Sequence, residues 1–533
     1  MYINAAQFLF IGNHAKRLMK INRIESGIGK RTSEYRLNLA GVEKGGRATS
    51  LVASLPFVAL GYVLVFSNLL GGSVLDDNSS GTTVSGETVP NLGNRIFWPV
   101  LFILCIALAV SQRSRLRWDF FRSPAIAALI AFLMLAGASL TWSFSPEFAI
   151  NRYAFQLMLI VIVVLPYAIE TPDKNTLKRL LNWYALSIAI NAMWVLFEKP
   201  QLTEAGGVFG YQGYFVFKGY LGECASIAIL ISLYALRSNR WQRALALLTV
   251  PLSILLIFMS HSKGSLAFAL FSPIWAALML LASKRIPMVV VVAILVGFYF
   301  VISSVSDLSL NRISYSLYGD ASLTGRTIIW DFIEGQISQR PWLGWGFHSF
   351  WLIGPSSPSI TQAPAWVSHM TGSHSGYLDV KLETGRLGYA IFMFFIVASI
   401  HTIGRVARSD LFQAWVFLSL VLYVISTNVL ETVWFQTDPL WVVFLLVVAD
   451  ATCYRYSGTA SISRNLKLGG RATRGRARVK SQQRQPVALS GPEHVAENAA
   501  SNVLSWQRSA ASPPASSGVA PQSESLQAAT PST

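Results

Sequence analysis

The 533 residues are 53% hydrophobic and only 13% charged, about half the charged share of soluble domains, which excludes an ordinary water-soluble fold. The net charge of +17 invites a nucleic-acid partner, but the basic residues lie in short loops and near the two ends of the chain, so no binding face for nucleic acid is built. The expected fold is all-α: a polytopic integral membrane helical bundle of about 12 transmembrane helices, with one large periplasmic loop forming a small helical cap.

Residues 1–50 are basic and at best amphipathic, an extension expected to lie on the anionic cytoplasmic leaflet. No cleavable signal is visible, because the first strongly apolar segment begins near Leu51 and others follow at once. Runs such as LVASLPFVALGYVLVFSNLL from Leu51 and IPMVVVVAILVGFYFVISS from Ile286 have the length that crosses the hydrocarbon core as a helix. The period-two alternation of an outer-membrane barrel is missing. Spans are expected to start near Leu51, Ile96, Pro124, Phe155, Leu180, Tyr220, Ala244, Ser265, Ile286, Leu387, Leu411 and Pro439.

Alternate loops carry the positive charge: Arg113, Arg115, Arg117 and Arg122; then Lys174, Lys178 and Arg179; then Arg237, Arg240 and Arg243; then Lys284 and Arg285; then Arg405 and Arg408. These become cytoplasmic if both termini are cytoplasmic. The expected division is nine spans in 51–303, a periplasmic cap in 304–385, three spans in 386–453 and a disordered cytoplasmic tail in 454–533. Cys105, Cys224 and Cys453 have no CxxC spacing and fall in or beside apolar runs, so they read as inert buried thiols.

Four polar clusters interrupt the apolar runs. GYQGYFVFKGYLGE, residues 210–223, holds Lys218 and Glu223. An intramembrane carboxylate is a functional candidate by default, though Glu223 could equally pair with Lys218. MSHSKGSL, residues 259–266, holds Lys263 at the junction of two spans; an anionic ligand and simple snorkelling both fit it. In 321–351, Arg326 follows Gly325 at an apparent helix start, the amphipathic pattern continues through Trp330, Ile333 and Ile337, and Pro341, Gly344 and Gly346 force a turn. An arginine there suits a diphosphate, or it anchors headgroups or pairs with Asp331. Trp330, Trp342, Trp345, Trp351 and Trp366 could stack on sugar rings or belong to an interfacial belt.

The fourth cluster is SHSGYLDVKLETGRLG, residues 373–388. Read as a helix, it puts His374, Leu378, Lys381, Gly385 and Gly388 on one stripe, with the glycines letting a neighbouring helix approach. His374, where the chain enters the membrane, could act as a general base or simply hydrogen-bond within the cap. Asp379 and Glu383 fall off the stripe and read as solubility or helix-pairing residues. Walker A, HExxH, DxD and Gly-Xaa-Ser-Xaa-Gly patterns are missing from the chain, which argues against P-loop nucleotide chemistry, metal-assisted chemistry and the hydrolase elbow.

Together these clusters resemble the O-antigen ligase and Wzy-type polysaccharide polymerase superfamily, most closely its exopolysaccharide polymerases of the succinoglycan type. The shared elements are His374-Ser375, nine residues, Gly385, two residues and Gly388; Gly325-Arg326 with Trp330; and Pro341-Trp342-Leu343-Gly344-Trp345-Gly346. The resemblance covers roughly residues 50 to 450. It implies a metal-independent glycosyltransferase of the bacterial inner membrane that needs no cofactor and acts at the periplasmic face. Its implied partners are an undecaprenyl-diphosphate-linked oligosaccharide, the bilayer, and flippase and chain-length or export proteins.

By that resemblance His374 activates the acceptor hydroxyl, and Arg326 with Lys263 holds the donor diphosphate. Lys218 is a weaker addition, because the family's His-Lys-Asn run is Phe217-Lys218-Gly219 here. Lys263 stands where many ligases have Arg, a point charge in place of a fork. Tyr377, Gly385, Gly388 and Glu223 are expected supporting residues. The implied function is polymerisation of lipid-linked repeat units, with ligation of finished glycan to lipid A core or another acceptor as the alternative. A transporter or flippase would need charged residues along a midplane path, whereas the polar clusters gather at one face.

Overall fold

The computed structural model describes residues 51–67, 92–170, 175–202, 208–305, 325–364 and 366–454. The expected basic extension, the tail and part of the expected cap lie outside the described residues. Long helices run in the order α1 (Leu51–Phe66), α2 (Leu92–Ser111), α3 (Pro124–Ser139), α4 (Pro146–Ile169), α5 (Thr176–Val195), α6 (Lys218–Ala235) and α7 (Arg240–Ser260). They continue as α8 (Lys263–Ser283), α9 (Met288–Val305), α10 (Arg326–Gln339), α11 (Gly376–Val406), α12 (Leu411–Leu430) and α13 (Pro439–Tyr454). Between α5 and α6, β1 (Gln201–Leu202) pairs antiparallel with β2 (Val208–Gly210).

A helix thus lies at each position where a span was expected. Among the described residues six of them, α2, α4, α7, α8, α11 and α12, are long and apolar enough to cross a membrane, while α1, α3, α13 and the Met288–Gly297 part of α9 are apolar but shorter. Burial sorts them. The apolar window of α12 is 67% buried and that of α2 only 17%, because α2 turns Ile96, Val100, Ile103 and Val110 outward. Helices α7 and α8 likewise expose Leu247, Leu248, Leu255, Leu270, Ile274 and Leu278. Hydrocarbon accepts such faces and water does not, so the fold is that of a multi-pass membrane protein. At the centre lies α13, buried at every residue from Leu440 to Cys453, as a helix apolar all round must be. The three cysteines are free and buried.

The up-and-down order of the helices puts the Arg117, Arg179, Arg237, Arg285 and Arg405 loops at one end of the bundle. The α7–α8 junction, the α6 start and the α12–α13 connection fall at the other end. Among the described residues, the non-glycine positions with positive φ are His261, His348, Leu352, His374 and Phe435. All five belong to connections at this second end, and such strain is typical of functional sites.

Residues 325–370 add a layer with its own core at the same end. Ile329, Ile333 and Ile337 line one face of α10 and pack with Trp345, Phe350, Trp351, Val367 and Leu382. The layer is joined to the bundle at a break in α11. Gly385, with φ 65° and ψ −168°, interrupts the helix, and segment 341–346 fills the gap. Trp345 N donates to Leu382 O (3.0 Å), Gly346 N to Glu383 O (2.9 Å) and Arg386 N to Pro341 O (2.8 Å). Backbone groups that a broken helix leaves open are thereby satisfied. No side chain fits between the two backbones: a Cβ on Gly344 would lie 2.5 Å from the Glu383 carbonyl, and one on Gly385 would strike Trp342.

Candidate active site

His374 precedes α11 in the left-handed region, φ 52°. Its turn is held from several sides. Ser373 N donates to both Asp379 carboxylate oxygens at 3.2 Å, the Ser373 hydroxyl bonds Ser375 O at 2.8 Å, and the Trp330 indole of α10 donates to Ser373 O at 3.1 Å. Gly376 N donates to Glu431 O at 3.0 Å, and Gly376 has no room for a Cβ beside Asn428 and Trp434. Asp379 in turn accepts from the Trp351 indole (2.9 Å) and the Thr432 hydroxyl (2.6 Å). The histidine backbone is therefore locked while its ring stays 42% exposed.

The residue that organises the site is Glu431, at the C-terminal end of α12. One carboxylate oxygen lies 3.3 Å from His374 Nδ1, and the other accepts from an Arg326 terminal nitrogen at 2.7 Å. Arg326 thus pairs with a residue 105 positions away and not with Asp331. Arg326 is the first residue of α10, with Gly325 at φ 83° capping it, so its position follows from where the helix can begin. With side chains 21% and 40% exposed, this pair adds about 1 kcal/mol or less to stability. Its structural consequence is orientation. A carboxylate accepting from Nδ1–H puts the proton on that nitrogen and leaves Nε2 as the basic lone pair.

Lys218 and Lys263 form a second group, each the first residue of its helix. A Cβ on Gly222 would lie 2.7 Å from Ser262 and 2.9 Å from Ser265, so the starts of α6 and α8 lie side by side. Helix α8 packs on α6 and α12, and Ser226 of α6 bonds Ser265 O at 3.1 Å. Helix α12, which Glu431 ends, packs on α6 as well as α8, so this basic pair and the His374–Glu431–Arg326 group share one end of the bundle. Glu223 is 5% exposed and receives no ion pair from Lys218.

Three expectations are corrected. The stripe through His374, Lys381, Gly385 and Gly388 does not exist, because α11 starts after His374 and breaks at Gly385. Gly385 admits a loop backbone; a Cβ on Gly388 would strike Thr384 of its own helix first and lie 3.3 Å from Leu135 of α3. Asp379 and Glu383 are buried at 6% and 7% exposure, so neither serves solubility. Tyr377 ties α11 to α12 through Ile425 O at 2.9 Å.

Sequence reasoning missed Glu431, Arg152 and His348. Arg152 of α4 donates to the carbonyls of His348 (3.0 Å), Trp351 (2.9 Å) and Leu352 (3.3 Å), clamping the loop to the bundle. His348 Nε2 lies 3.0 Å from Phe435 O. Burial, and next the Arg152 charge, push its imidazole down to about 4, so its 3.8 Å approach to Glu383 is not an ion pair at neutral pH. The only advance signal for Glu431 was a carboxylate ending an apolar run.

Residues 248–393 match the O-antigen ligase family model (Wzy_C). The exopolysaccharide production protein ExoQ of Rhizobium meliloti is 22% identical over 301 residues, 51% of this chain and 63% of that protein. A Rickettsia bellii protein provisionally named a polysaccharide ligase is 26% identical over 131 residues, 24% of this chain and 32% of its own length. A Rickettsia felis protein with the same provisional name is 25% identical over 131 residues, again 24% and 32%. The chain therefore spans less than two thirds of each of these relatives. The matched segment contains Lys263, Arg326, His374, Gly385 and Gly388, and through it the chain is similar to the O-antigen ligase and Wzy-type polysaccharide polymerase superfamily.

Proposed function

We propose that this protein polymerises lipid-linked oligosaccharide repeat units in exopolysaccharide biosynthesis. It transfers glycan from undecaprenyl diphosphate to a sugar hydroxyl at the periplasmic face of the bacterial inner membrane. The observation that carries the reading is Glu431 bridging His374 and Arg326, which couples a prospective base to a permanent cation. His374 Nε2 takes the acceptor hydroxyl proton as the oxygen attacks the anomeric carbon, and Glu431 stabilises the imidazolium that forms. The anomeric carbon–oxygen bond to the diphosphate breaks, and Arg326 and Lys263, with Lys218 behind them, meet the charge released on the leaving group. Fixed cations take the part a metal would otherwise play. A single displacement of this kind inverts the anomeric centre.

In this reading the protein crosses the membrane about 12 times, has both termini in the cytoplasm, and carries residues 304–385 as a periplasmic cap. The names of the family and of the Rickettsia relatives favour a second reading, ligation of finished glycan to lipid A core or another acceptor. A deletion strain separates the two. Single lipid-linked repeat units accumulate if the protein is a polymerase; long lipid-linked chains that never reach an acceptor point to the ligase. Plasmid-borne His374→Ala, Arg326→Ala and Glu431→Gln, expressed at normal levels, are expected to leave at most about one hundredth of wild-type transfer. Full-length polymer from either of the first two would sink the assignment.

A further inference from the structure

Beside the start of α6 a cavity of about 260 Å³ is lined by Tyr184, Phe215, Phe217, Tyr220, Glu223 and Asp438, among others. Glu223 is 5% exposed and faces this space, and no described residue gives it a hydrogen bond or an ion pair. The other acidic side chain that lines the cavity, Asp438, is a carboxyl like it. Asp438 is 4% exposed, and one of its oxygens accepts from Leu440 N at 2.6 Å. A buried carboxylate in such company is costly until donors reach it.

The walls define what those donors belong to. An ionised carboxylate only accepts and a protonated one also offers a hydrogen, so the pair suits an occupant whose hydroxyls do both, and the aromatic faces ask for apolar C–H surface beside them. A diphosphate has neither hydroxyls nor C–H faces to offer. A sugar ring meets both, with hydroxyls around its edge and C–H groups on its faces. The volume equals the share of about nine liquid waters, room for one ring. The connection 431–438 carries both Glu431, the partner of His374, and Asp438, so the cavity and the prospective base lie at the same end of the bundle.

We infer that this cavity is the acceptor subsite: it seats one hydroxyl-rich sugar ring, with Glu223 and Asp438 hydrogen-bonding its hydroxyls and the adjoining rings of Phe217 and Tyr220 against one face. The inference rests on the glycan-transfer reading above and names the substrate site within it. The test uses purified full-length protein in detergent and two probes. One is the lipid-free repeat oligosaccharide, released by mild acid from the cells' lipid-linked pool, which has no diphosphate and cannot serve as donor. The other is undecaprenyl phosphate.

Equilibrium dialysis is expected to show saturable oligosaccharide binding to the wild type. Glu223→Gln should weaken it about tenfold or more, with undecaprenyl phosphate affinity changed less than about twofold. Phe217→Ala, at a position 64% exposed where folding is not at stake, should weaken the oligosaccharide in the same selective way. Lys263→Ala should do the reverse. Unchanged oligosaccharide affinity in both Glu223→Gln and Phe217→Ala overturns the subsite while leaving glycan transfer standing, as does a loss confined to undecaprenyl phosphate. A wild type that neither binds the oligosaccharide nor transfers glycan overturns the functional reading, and the subsite with it.

Discussion

Glu431 and Glu383 show how little a carboxylate's residue type says about its task. Glu431 ends α12 half in solvent and touches both His374 and Arg326; Glu383 is buried on α11 beside His348. The His348 site has a consequence for stability. Its folded imidazole titrates near 4 because burial, and next Arg152, oppose the charge, while the unfolded value is about 6.5. A lowered folded value makes this contribution complete above about 6.5 and progressively lost as pH falls toward about 4, where the unfolded chain binds the extra proton. Between pH 7 and 5 the expected loss is about 2 kcal/mol. His348→Gln, which keeps a donor for Phe435 O, should show a thermal midpoint in detergent that falls less over this range than the wild type's. Equal falls in the two proteins would refute the assignment.

At the scale of the element, the decisive feature is the broken helix α11. The spacing from His374 to Gly385 is set by the ten residues 375–384 of turn and helix, and the Pro341–Gly346 segment enters at the break. Gly385 needs both a positive φ and an open approach for Trp342. Gly385→Ala should therefore cost about 3 kcal/mol or more, loosen the layer carrying Arg326 and Trp330, and abolish transfer. A methyl group added at Gly335 on α10 would meet nothing within 4 Å, so Gly335→Ala should be neutral or stabilise by up to about 1 kcal/mol. Thermal unfolding in detergent compares the pair, and similar midpoints would contradict this account of the break. The amphipathic α10 and its start at Arg326 were legible, since a glycine cap and a 3.6 period are local signals. The break was not, because a helical spacing of three and four residues can be read straight through Gly385 and only the incoming loop backbone explains the interruption.

For the whole molecule, the helix order places the basic loops at one end and the His374 group at the other. If the basic end is cytoplasmic, as the positive-inside bias predicts, exposed positions on the two sides should differ in access. The native cysteines are buried, so labelling of introduced ones reads cleanly. Ser356→Cys should react with a membrane-impermeant maleimide in intact spheroplasts, and Ser114→Cys only after permeabilisation; both residues are exposed. The opposite pattern would invert the orientation. Apolar run length, loop charge and the motif spacings were enough to place the helices and to pick out His374, Arg326 and Lys263, because each is a property of contiguous residues. Glu431's contact with Arg326, the burial of Asp379 and Glu383, and the cavity between Glu223 and Asp438 depend on which helix ends meet in space. Long-range packing made those choices: a hydrogen bond spanning 105 positions leaves no trace in the order of neighbouring residues.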